Sequence, residues 1–244
     1  ISGGSKLPEF KDKVRIALSP KTSLKGTREK YESDKYSKKD LYNYLYALNV
    51  AGEDSLFQKL GKEYMAMLSD KEYSEKKNWI FARIHRDRKS LYYKYLVSHK
   101  DLFVKENGEK AVDNYLSSLF SSEVLSLATE DTDYDAARMD KLEQEMKEAG
   151  LPDTCLVSIV YGIGKLRGQK KYHEMLKYIE KNERYFAQQL GVRPLIEASF
   201  YFPQLKGNEK TELLTYLRKA ASRETGADAN RLNKLIALME EGYK

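Results

Sequence analysis

The sequence predicts an all-α fold of stacked antiparallel helical hairpins, and three observations carry that prediction. Apolar residues recur at three- and four-residue spacing along most of the 244 residues. Alternating, strand-like runs bounded by turn residues are missing, apart from Leu156-Val157-Ser158-Ile159-Val160, which also fits a buried helix. Ser, Asp, Asn, Gly and Pro stand at short intervals where helices begin and end.

Taken in order, the stripes are Leu41, Tyr44, Leu45 and Leu48, then Leu56, Phe57, Leu60, Tyr64 and Met67. They continue with Met139, Leu142 and Met146, with Tyr172, Met175, Leu176, Ile179 and Phe186, and with two closing sets, Leu213, Leu214, Leu217 and Leu232, Leu235, Ile236, Met239. Ser37, Ser69, Ser74, Asp153 and Asn208 precede such segments as candidate N-caps. Gly52, Gly108, Gly150, Gly191 and Gly226 sit where helices are expected to end. Pro152 acts as a stop, and Pro194 and Pro203 bracket a short helix. About eleven to thirteen helices of ordinary globular length result, and short links between them favour antiparallel neighbours.

Residues 41–64 can be laid on residues 156–179. Tyr46 then falls on Tyr161, Ala47 on Gly162, Leu48 on Ile163, Phe57 on Tyr172 and Leu60 on Met175. A small residue in the first helix and an aromatic early in the second resemble the tetratricopeptide hairpin and an α-solenoid-like stack, although the 34-residue signature and a third copy are absent.

Composition excludes several classes. A 41% hydrophobic and 33% charged chain has the content to bury a core. No apolar run approaches the roughly 18 residues of a membrane span, and the first residues lack the apolar stretch of a signal peptide. The single thiol, Cys155, makes neither an internal disulfide nor a CxxC pair, and its apolar neighbours suggest a small buried hydrophobe. The net charge of +6 is polarised: residues 1–120 hold 24 basic and 17 acidic side chains, and residues 121–153 hold 3 basic and 10 acidic. Acidic residues interleave most basic runs, which weakens any argument from charge toward nucleic acid.

His85-Arg86-Asp87 copies letters of the kinase catalytic loop without a Gly-rich strand or an Asp-Phe-Gly. Residues 162–168 are glycine-rich with Lys165, but match no phosphate-binding pattern and read as close helix packing and a turn. Asp131, Asp133 and Asp135 share calcium-loop spacing, yet Ala136 and Leu142 stand where glycine and glutamate belong, so a helix N-terminus is the better reading. No catalytic, cofactor or metal residues are assigned, and the segment is expected to be non-catalytic without a cofactor. Candidate partner-binding residues are Tyr42, Tyr46 and Tyr161 for a protein-facing groove, and Arg86, Arg88, Tyr92 and Tyr93 within the basic, Tyr-rich 83–100 segment. In a helix, half of the tyrosines in that segment should face the core.

Ile1-Ser2-Gly3-Gly4, Glu9-Phe10 and the stripe Phe10, Val14, Ala17, Leu18 resemble the end of a thioredoxin domain, where a last strand meets glycines and a closing helix runs into a linker. Ser19-Pro20, Tyr31, residues 41–48, then Tyr92, Lys94, Tyr95, Leu96, Phe103 and Val112-Asp113-Asn114 resemble the helical C-terminal extension of bacterial envelope thioredoxin-family proteins. The resemblance implies that thiol–disulfide exchange belongs to a CxxC domain upstream of Ile1, and that this segment is a helical accessory or protein-interaction domain of the periplasm or cell envelope. Its implied partner is a protein, a peptide or that upstream domain. The organisation expected is a domain end or linker helix at 1–20 and helical subdomains at 21–130 and 131–244. The alternative function is nucleic-acid binding through the 83–100 segment.

Overall fold

The computed structural model describes Val14, Ser19 and residues 21–34, 37–129 and 134–242. The 1–20 segment therefore lies, but for Val14 and Ser19, outside the described residues. Among the described residues the fold is all-α, with thirteen α-helices, two short 3-10 helices and no strand. The contacts divide the chain into two compact units, Ile1–Tyr115 and Leu116–Lys244. The division falls within a helix, earlier than the expected 130/131 boundary.

In the first unit, α1 (Leu24–Ser33), α2 (Lys38–Ala51) and α3 (Asp54–Ala66) pack successively against one another. Tyr42 of α2 meets Tyr64 of α3 with ring centroids 5.8 Å apart, and the two lie nearly equidistant from the Gly52 turn, as antiparallel helices require. Ser37 caps α2 by accepting from the Asp40 amide at 3.2 Å. Gly52 closes it in the left-handed conformation, φ +79°, which only glycine adopts without penalty. There follow α4 (Asp70–Tyr73), a 3-10 turn at Trp79–Ile84, α5 (Leu91–Ser98), α6 (Lys100–Asn107) and the start of α7 (Glu109–Thr129). The core is built from Leu41, Leu45, Leu48, Phe57, Phe81 and Leu96, all buried. At its centre Asn78, with no exposed surface, accepts from the Tyr64 hydroxyl at 2.7 Å and donates to the Glu72 carbonyl at 2.7 Å. A buried amide satisfied on both ends holds the irregular 74–78 segment to α3 and α4.

The second unit continues α7 and adds α8 (Ala136–Glu148), α9 (Leu156–Gly168), α10 (Tyr172–Leu190), α11 (Arg193–Ser199), a 3-10 turn at Phe202–Gln204, α12 (Gly207–Ala221) and α13 (Gly226–Glu241). The ambiguous run at 156–160 is helical, as the opening turn of α9. The hairpins α9–α10 and α12–α13 are the most extensively packed pairs here. Ile159, Met175, Ile179, Phe186, Leu213, Leu217 and Leu232 form one continuous core. Asp135 caps α8 by accepting from the Arg138 amide at 3.0 Å, while Asp131 and Asp133 lie outside the described residues.

Several punctuation marks act differently from expectation. Ser74 ends α4, Cys155 rather than Asp153 precedes α9, Asn208 lies inside α12, and Gly226 opens α13 instead of closing a helix. Ser74 and Gly226 mark a boundary of the opposite sense, because Ser and Gly serve both ends, whereas Asp153 and Asn208 miss the N-cap of their helices by two residues. No helix among the described residues is long and apolar enough to cross a membrane.

Candidate functional site

The candidate residues of the first unit fall on the two sides of its surface. Leu91 is 77% exposed, whereas Tyr92 and Tyr93 beside it are buried, at 2% and 9%. Ser90 caps α5 by accepting from the Tyr93 amide, which sets the helix phase. In that phase Tyr92 enters a cluster of rings, with Tyr73 at 5.5 Å, His85 at 5.3 Å and Phe103 at 5.9 Å. Burial pushes the Tyr92 phenol up and the His85 imidazole down, so both stay neutral. This corrects the expectation that Tyr92 and Tyr93 present rings to a partner. Of the segment's other rings, Tyr95 is half-buried and stacks on the exposed His99 at 4.1 Å.

Arg86 is exposed and Arg88 half-buried, both ahead of the helix. Arg86 lies at the edge of a 460 Å³ hollow with Asp54, Phe57 and Ile84. Tyr42 is half-buried, its ring against Phe81 at 5.8 Å, and burial raises its phenol. Tyr46 is 41% exposed. Tyr42 and Tyr46 belong to the first unit and Tyr161 to the second.

There, α8, α9 and α10 enclose a concavity of about 300 Å³. Tyr161, on α9, is 6% exposed, and its hydroxyl lies 2.9 Å from the Met139 carbonyl and 3.2 Å from Glu143 Oε2. One turn further, Lys165 donates to the same Glu143 oxygen at 2.5 Å and to Asp140 Oδ1 at 3.1 Å. Lys147 donates to Glu143 Oε1 at 2.7 Å. Positions 161 and 165 are one helical turn apart, as are 143 and 147, so the two helices present matching pairs across their seam. The two lysines, Lys147 foremost, hold the Glu143 carboxyl at about 2, well below its ordinary 4.5. The hydrogen bond to Glu143 raises Lys165, and burial foremost raises the phenols of Tyr161 and Tyr178.

The floor is shaped by a glycine. A Cβ at Gly162 would lie 2.6 Å from the ring and hydroxyl of Tyr178 on α10, so only glycine lets that ring lie against α9. Gly168 admits the Tyr134 ring in the same way, so Gly162 and Gly168 serve close packing. Met146, Leu151 and Leu166 supply apolar wall, and Ser158 and Asp153 supply polar groups at the rim. Cys155 is half-buried at the head of α9 rather than fully buried, with its Sγ 3.2 Å from Ser158 Oγ.

Chemically, the concavity is an array of fixed donors and acceptors around an apolar floor. The carboxylate is held ionised, the ammonium protonated and the phenols neutral, which suits recognition by hydrogen bonding. Among the described residues no three His, Cys, Asp or Glu side chains converge to hold a metal ion. Sequence reasoning singled out Tyr161 but missed Glu143, Lys165 as its partner, and Tyr178. The one available signal was the small residue at 162, which marks a close approach without naming what approaches. Compared with family models, curated proteins and solved structures, the chain matches none of them.

Proposed function

We propose that this chain is a non-catalytic, α-helical protein-interaction module, and that its partner is a protein or peptide received in the concavity of α8, α9 and α10. The observation that carries the reading is the Gly162 cradle. It lets the Tyr178 ring form an apolar floor against α9, with Glu143 and Lys165 locked in place around it and the buried Tyr161 hydroxyl bracing Glu143. Groups already ordered in the free protein lose little entropy on binding, so the site is pre-organised for a partner's backbone amides and carbonyls. Its charges are mixed, two lysines against Glu143, Asp140 and Asp153, which favours a polar peptide with an apolar anchor over a polyanion. The resemblance of residues 1–130 to the helical extension of envelope thioredoxin-family proteins supports the same role. It also supports a periplasmic or cell-envelope location and an upstream domain as one candidate partner.

Amide-resolved spectra of the full chain, titrated with a pool of short random peptides, test this. The expected result is shifts concentrated at Ser158, Gly162, Lys165 and Tyr178. Shifts confined to the first unit, or single-stranded nucleic acid binding with a steep salt dependence, would overturn it.

A further inference from the structure

The second unit holds another cavity, distinct from the Tyr161 concavity, lined from α7, α9, α10 and α11. Its volume is about 80 Å³, and its walls include Val160, Ile163, Met175, Pro194, Ala198 and the ring of Tyr201. Tyr201 is held in place by stacking on Tyr172, centroids 4.6 Å apart. A single water occupies roughly 10–15 Å³ of such space and needs polar partners, which here lie only at the rim, so the apolar interior suits the hydrocarbon of a small organic group.

The rim is charged and unbalanced. Arg193 and Arg167 both border the cavity, with Glu197 the one carboxylate among the lining residues. Glu197 is taken by Arg193, whose Nε donates to its Oε1 at 2.8 Å. Arg167 is half-buried in the last turn of α9 and has no carboxylate partner among the described residues. The helix C-terminus offers Arg167 a favourable dipole but no counter-ion. A guanidinium stays ionised throughout the physiological range and presents a planar fork that matches a carboxylate.

We propose that this cavity is a binding site for a small apolar carboxylate, a branched or aryl-substituted short-chain acid, with its hydrocarbon among Val160, Met175 and Ala198 and its carboxylate on Arg167. This site is independent of the peptide-binding concavity. The acid supplies the missing negative charge at the rim, and its hydrocarbon fills space that solvent occupies poorly.

Calorimetric titration of the full chain with 4-methylpentanoate and with 3-phenylpropanoate tests the proposal, with the corresponding alcohols as uncharged controls. Saturable binding of at least one acid in roughly the millimolar range is expected, about tenfold tighter than its alcohol. Arg167→Gln is expected to weaken the acid about tenfold and leave the alcohol unchanged, and Arg167→Lys to restore part of the loss. Ala198→Phe, which fills the void, is expected to remove binding of both; should it fail to fold, the charge comparison alone decides. Absence of saturable binding by either acid, equal affinity for acid and alcohol, or full affinity in Arg167→Gln would each overturn the proposal.

Discussion

The hairpins α2–α3 and α9–α10 share an aligned sequence pattern and differ in what that pattern does. At equivalent positions, Tyr46 is 41% exposed and Tyr161 is 6% exposed. Ala47 packs as a buried methyl, whereas Gly162 removes the methyl and lets Tyr178 lie against the helix backbone. Phe57 is buried against Phe81, while its counterpart Tyr172 is half-buried and stacks on Tyr201. Apolar spacing alone therefore specifies that two helices pair. The concavity appears only where a third helix, α8, brings Glu143 to the outer face of the pair.

The largest test of this comparison is truncation of the aligned aromatics. Phe57→Ala is expected to cost about 3–5 kcal/mol, because a fully enclosed ring leaves a cavity. Tyr172→Ala is expected to cost about 1–2 kcal/mol, since its ring keeps one side in solvent. Urea unfolding of both variants measures the difference, and equal losses would break the distinction between the two hairpins. Asn78→Ala comes next, at about 2 kcal/mol, because it strands the Tyr64 hydroxyl and the Glu72 carbonyl in the first unit.

Smaller effects separate Tyr161 from Tyr46. Tyr161→Phe is expected to cost about 1 kcal/mol through loss of its hydroxyl contacts with Met139 and Glu143, and Tyr46→Phe less than about 0.5 kcal/mol. Acid titration probes the charged groups. Glu143 in the second unit and Glu72 in the first are both held at about 2, below the ordinary 4.5, the former by Lys147 and Lys165 and the latter by Lys38 and Ser69. A carboxylate whose value is lowered by folding stabilises the fold above its unfolded value. That contribution is lost as pH falls through the window from 4.5 to about 2. Melting temperatures across this window should fall less steeply in Glu143→Gln and in Glu72→Gln than in the parent chain.

The all-α class was legible because three- and four-residue spacing is a local property, and Ser37 and Gly52 mark their helix ends by local hydrogen bonding and a positive φ. The aligned repeat located both hairpins for the same reason. The site was less legible because its parts are distant in sequence: Tyr161 meets Glu143 across 18 residues and Met139 across 22. The tyrosines of α5 show a different limit: half are expected to face the core, but which half depends on Phe103 and Tyr115 from neighbouring segments, which pack on Tyr92. Helix phase follows from the Ser90 cap, whereas which face is covered depends on tertiary packing that spacing does not encode.

The most direct test of the interaction reading is the affinity of one peptide, selected on the parent chain from a random displayed library, for Gly162→Ala, Lys165→Met and Tyr46→Ala. The added methyl displaces Tyr178 from the floor, while the better helix propensity of alanine offsets about 1 kcal/mol of the packing loss, so the fold should persist. Affinity is predicted to fall at least about tenfold in Gly162→Ala and Lys165→Met and to stay unchanged in Tyr46→Ala. Unchanged affinity in the first two variants, or a loss in Tyr46→Ala alone, would contradict the assignment of the partner site to the concavity of α8, α9 and α10.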